Sequence, residues 1–450
     1  MRLAVKKGAE VEGTIIIFVV FEVKMKLEIN SDSWNYRDGV LCCEEVPLDL
    51  IAEKVGTPVY IYSYQHLIDR FRETKRGWGR RKPLVCFSLK SNSSLGVASA
   101  LIAEGAGVDV VSGGELFRAI QAGASPDSIV YAGVGKTARE ISEALRIGIL
   151  FFTVESVPEL HLINRIAMEM GKIAPVALRV TPDVDPQTHK YITTGKAENK
   201  FGLDPEAALD FYRLCRDLPG INPVGIQMHI GSQILLTGPY REGAERLVDM
   251  IRILKKEGIH LKYLDIGGGM GVSYKGEVPP AIRDYAEVLD PLLKELRIKI
   301  ILEPGRFITA NAGVLLTRVL YLKKKEKKNF IIIDSAMNDL IRPALYQAYH
   351  QIVPVSPRDK REIKADVVGP ICETGDLLGA SRLIPEPSAG DLMAILSAGA
   401  YGYVMSSNYN SRPRPAEVMV KGDGYWVIRK RETYKDLIRG EKLPDFLVKK

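Results

Sequence analysis

The run YLDIGGGMGVSY, residues Tyr263 to Tyr274, decides how the rest of the chain is read. An apolar strand ends on an acid and three glycines, which invites comparison with a dinucleotide-binding fingerprint. Counting from Gly267, that fingerprint would need a third glycine where Val272 stands. It would also close the first strand of an open sheet, and this run closes a seventh. Side-chain-free backbone at Gly267, Gly268 and Gly269 suits a phosphate instead, because several N–H donors can converge on one anion.

Working outward, short apolar runs alternate with amphipathic stretches from Pro83 onward. The strand candidates are PLVCFSLK (83–90), GVDVVS (107–112), SIVYAG (128–133), ILFFTV (149–154), PVALRV (175–180), VGIQMHI (224–230), YLDIGGG (263–269) and IILEPGR (300–306). Stretches such as TAREISEALRIG (137–148) and YREGAERLVDMIRILKKEG (240–258) carry apolar residues three and four apart, the helical period. Eight βα units over roughly 220 residues predict a (β/α)8 TIM barrel. After Phe307 the alternation stops and strand-like segments dominate, so the barrel is followed by a second, mainly β domain. The expected divisions are an N-terminal extension over 1–24, possible to dispense with, a segment 25–62 joining the β domain, a barrel over 63–310 and a β domain over 311–450.

Polar residues fall at or just beyond the C-terminal ends of these strands: Lys90, Ser112, Arg179, His229, the glycine triplet, and Glu303 with Arg306. That end of a barrel carries the active site. For any single residue a solvated strand end is the plainer explanation, but seven at one face are hard to assign to chance. The turn Glu303-Pro304-Gly305-Arg306 adds a carboxylate, a rigid bend and a guanidinium to the rim that holds the glycines. A lysine amine on a phosphate-binding rim can form a Schiff base with a phosphorylated aldehyde, and pyridoxal 5'-phosphate is the common one. A carboxylate such as Glu303 on its pyridine nitrogen would make the ring a strong electron sink.

Composition excludes other classes. The net charge of +7 arises from 62 basic and 55 acidic residues without long blocks of one sign, and the densest run, Lys323 to Lys328, reads as a hairpin tip, so no nucleic-acid partner is expected. Five dispersed cysteines offer neither a disulfide framework nor metal-ligand spacing, which predicts a cytoplasmic protein without a metal. The run TIIIFVVFEV from Thr14 is too short to span a membrane. VYAGVGKT (130–137) fails as a P-loop because Val130 stands where glycine is required.

CFSLKSN (86–92), GVDVVSGGEL (107–116), HIGSQ (229–233), LDIGGGMG (264–271) and LEPGR (302–306), in this order, resemble the alanine-racemase-like barrels of PLP-dependent basic amino-acid decarboxylases. TPDVDPQTHKYITTGKAENKFG (181–202), DSAMNDLIRPALYQAYH (334–350), VGPICETGDLL (368–378) and GAYGYVMSSNYNSRPRPAEVMV (399–420) are similar to the diaminopimelate decarboxylase branch. The resemblance spans about Met25 to Val420. It implies decarboxylation of meso-2,6-diaminopimelate to L-lysine and carbon dioxide, the last step of lysine biosynthesis.

By position it implies that Lys90 bonds to PLP and His229 stacks on its ring. Ser232, Gly267, Gly268, Gly269 and the turn of Glu303, Pro304, Gly305 and Arg306 hold the phosphate and pyridine ends, with Glu303 on the ring nitrogen. Asp109 and Arg179 fit positions near the cofactor. Arg306, Arg342, Tyr346, Glu373 and Tyr401 contact the small-molecule substrate, and Tyr401 reaches the cofactor as well. The resemblance also implies a homodimer with shared active sites, in which Cys372 of one chain donates the proton to Cα and Glu373 accompanies it. Independently of the family, arginine forks match carboxylates, and Arg342 and Tyr346 share one side of a helix if RPALY is helical.

Two departures stand out. Ser88 and Ser91 replace alanines that usually flank the lysine, and TPDVD replaces an asparagine form. The competing readings are a decarboxylase of ornithine or arginine and a non-catalytic PLP-binding protein. The β domain and the CETGDLL segment speak against the second.

Overall fold

The computed structural model describes residues 32–185 and 200–447 in full, Leu27, and the backbone of the strands Leu3–Val11 and Thr14–Phe21. Most of the 181–202 block singled out above therefore lies outside the described residues.

Eight parallel strands close into a barrel: β1 (Leu84–Ser88), β2 (Gly107–Val110), β3 (Ile129–Tyr131), β4 (Phe151–Val154), β5 (Ala174–Arg179), β6 (Ile221–Gln227), β7 (Tyr263–Asp265) and β8 (Lys299–Leu302). Closure is made by β8 on β1, where Ile301 pairs with Leu84. Side chains alternate along a strand, so one parity points into the barrel. Cys86, Val130, Phe151, Ala177, Val224 and Ile301 form a buried apolar cluster of their own. Two residues further along the same strands, the same parity brings Ser88, Arg179 and Glu303. The inward column thus changes from apolar to polar at one end, and the site is built there.

Local chemistry starts and stops the surrounding helices. Thr137 and Glu140 form a reciprocal capping box at the start of Ala138–Ile147, and Gly148 ends that helix in the left-handed region. Ser63, Ser112 and Ser156 each cap a helix by accepting a backbone N–H. Ser112, one of the polar strand-end residues, therefore has a structural task.

The second domain is built on a nine-stranded sheet. Its main path runs Leu377–Pro385, Glu362–Val368, Asn329–Ile333, Gly313–Lys324, Val59–Ser63, Ala416–Lys421 and Gly424–Arg429. Val59–Ser63 precedes the barrel in sequence. It lies antiparallel to Gly313–Lys324 and parallel to Ala416–Lys421, so the sheet brackets the barrel from both ends of the chain. Lys325 and Lys328 close the hairpin between Gly313–Lys324 and Asn329–Ile333.

Candidate active site

The barrel's polar end holds a group of buried carboxyls, with Asp109, Asp265 and Glu303 at its centre. Lys90, just past β1, donates from Nζ to Asp109 Oδ2 at 2.9 Å. The departures at 88 and 91 have partners: Ser88 Oγ donates to the same Asp109 oxygen at 2.5 Å, and Ser91 Oγ donates to the Ser88 carbonyl at 2.8 Å. Burial alone would lower the Lys90 pKa, but the charges of Asp109 and Glu303 outweigh it and hold the amine above its ordinary range.

Glu303 Oε2 accepts Gln227 Nε2 at 3.3 Å, while Oε1 accepts no hydrogen bond. Burial, then the neighbouring charges of Asp109 and Asp265, push its carboxyl well above the usual range. Asp265 is pushed up as well, to about 7, chiefly by burial, even though its Oδ1 accepts the Gly267 N–H at 2.8 Å. His229 sits between this group and the cavity. Its Nδ1 accepts the Gly268 N–H at 3.2 Å and lies 4.0 Å from Glu303 Oε2. Burial, with Lys90 and Arg179 nearby, holds the imidazole well below its ordinary pKa and so neutral.

The glycine triplet works differently from a plain phosphate cradle. A Cβ at Gly268 would lie 2.0 Å from the Glu303 carbonyl oxygen, so glycine is required for the loop to pack on the end of β8. Gly267 and Gly268 spend their N–H groups on Asp265 and His229. Gly269, at φ +101°, keeps its N–H without a bond among the described residues. One backbone donor of the three, not all of them, is available to an anion.

A cavity of about 310 Å³ opens beyond His229, and Ser232, Arg306, Arg342, Tyr346 and Tyr401 share its wall. Arg306 donates to Ser232 Oγ through Nε at 3.2 Å and Nη2 at 3.0 Å. Its guanidinium carbon stands 4.9 Å from the centre of the Tyr401 ring. Tyr401 has φ +55°, a strained value for a non-glycine residue, and its N–H donates to the Ser91 carbonyl at 2.8 Å, tying the second domain to the lysine segment. Arg342 and Tyr346 lie on one short helix, Arg342–Tyr346. Arg306 and Arg342 are both 6% exposed, and neither meets a carboxylate among the described residues. Two buried, uncompensated cations on one wall form an anion site.

Other expected residues lie elsewhere. Arg179 pairs with buried Glu155 at 3.2 Å, and its Nη2 donates to the His229 carbonyl at 3.4 Å, so it supports the histidine from behind. Cys372 and Glu373 are exposed and do not line this chain's cavity. Asn410 accepts the Cys372 N–H at 3.0 Å, and Tyr409 donates its hydroxyl to Glu373 at 2.8 Å. The wall also contains Tyr274 and Glu277, which motif reading passed over. Tyr274 ends the very run that identified the seventh strand, and its hydroxyl accepts Arg306 Nη1 at 2.8 Å.

These residues fit pyridoxal phosphate. An amine beside a carboxylate, a buried carboxyl with an unused oxygen, and a serine and arginine with one spare backbone N–H match its aldehyde, ring nitrogen and phosphate.

Comparison with known proteins agrees. Residues 64–310 match the family described as pyridoxal-dependent decarboxylase, pyridoxal binding domain. The diaminopimelate decarboxylase of Aquifex aeolicus (strain VF5) is 49% identical over 401 residues, covering 89% of this chain and 95% of the relative. The crystal structure of the Helicobacter pylori diaminopimelate decarboxylase complexed with L-lysine superposes with a TM-score of 0.85 at 42% identity, covering 87% of this chain and 98% of that one. The M. jannaschii diaminopimelate decarboxylase in co-complex with L-lysine gives 0.89 at 35%, covering 94% and 100%. No described helix is long and apolar enough to cross a membrane.

Proposed function

The chain belongs to the diaminopimelate decarboxylase family of PLP-dependent enzymes, and from that premise we propose that it converts meso-2,6-diaminopimelate to L-lysine and carbon dioxide through the residues gathered at the barrel's polar end. The observation that carries the reading is that two buried arginines stand without an acidic partner among the described residues: a cofactor phosphate would answer Arg306, and Arg342 remains for a second anion. The second carboxylate of diaminopimelate supplies the missing anion. Ornithine and arginine have no carboxylate at the distal end and would leave a guanidinium uncompensated.

Bound here, the cofactor supplies the sink for the electron pair left at Cα when carbon dioxide departs. Lys90 is the amine that holds its aldehyde carbon, and Asp109 keeps that amine oriented. Glu303 would meet the ring nitrogen with its unused oxygen, and neutral His229 would cover the ring. Ser232, Arg306 and the Gly269 N–H would receive the phosphate end. Arg342 and Tyr346 receive the distal carboxylate, and Tyr401 closes the cavity against the lysine segment.

The working unit is a homodimer in the cytoplasm. Cys372 of a second copy delivers the proton that Cα needs once the carbon–carbon bond has broken, and Glu373 beside it meets the distal ammonium. The exposure of both residues in one chain supports this reading.

Incubating the purified protein with PLP and meso-diaminopimelate, followed by chiral chromatography, tests the assignment. L-lysine and carbon dioxide should form in equal amounts. Faster turnover of ornithine or arginine would overturn it.

A further inference from the structure

Arg342 is held by a residue outside the cavity wall. His350 is fully buried, its Nδ1 lies 2.8 Å from the Leu396 carbonyl oxygen, and its Nε2 lies 2.9 Å from Arg342 Nη1. A carbonyl only accepts and a guanidinium only donates. Nδ1 therefore carries the proton, and Nε2 offers its lone pair to Arg342. Burial and the adjacent Arg342 charge keep His350 well below the ordinary imidazole pKa, in keeping with that neutral form.

Tyr274 completes the frame. The Arg342 guanidinium carbon stands 4.8 Å from the centre of its ring, and its hydroxyl accepts Arg306 Nη1 at 2.8 Å. Its ring also meets the His350 ring edge to face, with centres 5.4 Å apart and planes at 80°. Burial would raise the phenol pKa, but the two arginines outweigh it and lower it. One phenol and one imidazole thus stand with two like charges that would otherwise repel.

The chemistry of the frame is selective. A carboxylate at position 350 would satisfy Arg342 and cancel its charge, and the substrate would then have to compete with it. Neutral imidazole occupies one donor and leaves the charge. Arg342 Nε has no partner among the described residues, so donor capacity remains for an incoming oxygen.

We propose that His350 and Tyr274 are positioning residues that hold Arg342 in place, and so set the preference for a substrate whose distal end carries a carboxylate. This rests on the reading of Arg342 as the distal-carboxylate contact. L-lysine keeps the distal amine and carboxylate of the substrate and lacks the carboxylate that leaves. Pentane-1,5-diamine lacks both carboxylates. Competitive inhibition by these two compounds therefore separates carboxylate recognition from general fit.

In His350→Leu and Tyr274→Leu holoenzyme, which lose the imidazole acceptor and the aromatic ring that face Arg342, inhibition by L-lysine should weaken roughly 10- to 100-fold, the size of a lost hydrogen bond to a charged group, while inhibition by the diamine stays within about twofold. KM for diaminopimelate should rise more than kcat falls, and His350→Gln, whose amide oxygen can accept from Arg342, should recover most of the loss. Equal weakening of both inhibitors, or none, would overturn the proposal. If His350→Leu does not fold, Tyr274→Leu decides on the same two compounds. Arg342→Ala separates the layers: unchanged L-lysine inhibition in that variant sinks the underlying reading, whereas its loss there but not in His350→Leu and Tyr274→Leu sinks only this inference.

Discussion

Lys90 Nζ and the Ser88 hydroxyl converge on one oxygen of Asp109, at 2.9 Å and 2.5 Å, and the second Asp109 oxygen accepts nothing among the described residues. The lysine is therefore held as a cation at the mouth of the barrel with Asp109 as its direct partner. An aldehyde condenses only with the neutral amine, so this pairing sets the pH at which the cofactor can be loaded.

Asp109→Asn removes the adjacent opposite charge. The pH midpoint for the absorbance change on adding PLP to apoprotein should fall by at least about one unit, the lower end of the effect of such a neighbour. An unchanged midpoint would show that Asp109 does not govern the amine. Lys90→Ala should abolish both the absorbance band and turnover.

Glu303→Gln keeps the shape of the side chain but removes the ionisable carboxyl that would share a proton with a ring nitrogen. PLP should still bind, and kcat should fall by roughly 100-fold, as for other lost electrostatic contacts to developing charge. Stopped-flow turnover at saturating substrate measures this, and full activity would exclude Glu303 from that role.

The dimer reading makes a prediction by complementation. Lys90→Ala and Cys372→Ala homodimers should each be nearly inactive, and Cys372→Ala should retain the PLP band. Unfolding and refolding the two together should restore about a quarter of wild-type activity, because half of randomly assorted dimers are hybrids with one intact site of two. No recovery on mixing would place Lys90 and Cys372 in the same chain's site.

Asp339 predicts a pH dependence of stability. Burial pushes its carboxyl up to about 7, against the hydrogen bond it accepts from the Ala336 N–H and the charge of Arg412. The folded pKa exceeds the unfolded value of about 4, so the stabilisation is complete below that value. It is lost as pH climbs through about 7. In Asp339→Asn the amide can pair with the otherwise unpartnered Asn338 Oδ1 once that side chain turns over. Denaturant midpoints should therefore fall less between pH 5 and pH 8 in the variant than in the wild type. Parallel curves would count against the assignment.

Much of this was legible in the chain. Alternation of strands and helices identified the barrel, because side-chain period depends only on local backbone geometry. The residues at strand ends were legible for the same reason: a barrel places every strand's C-terminal end on one face, so Lys90, His229 and Glu303 could be assigned to a common rim by position alone. What the glycines do was less so. The triplet suggested three anion-binding donors, yet two of its N–H groups serve Asp265 and His229, partners that only the closed barrel brings alongside.

The sequence by itself determined the architecture, the cofactor class and the rim on which the chemistry sits. Only the tertiary structure decided how that chemistry is tuned. Tyr274 reads as an ordinary loop tyrosine and His350 as the end of YQAYH until folding sets one against both arginines and the other against Arg342. Motif reading follows residues along a strand or helix, where spacing is regular. The direction of a buried cation depends on neighbours contributed by different loops, and no local period records that.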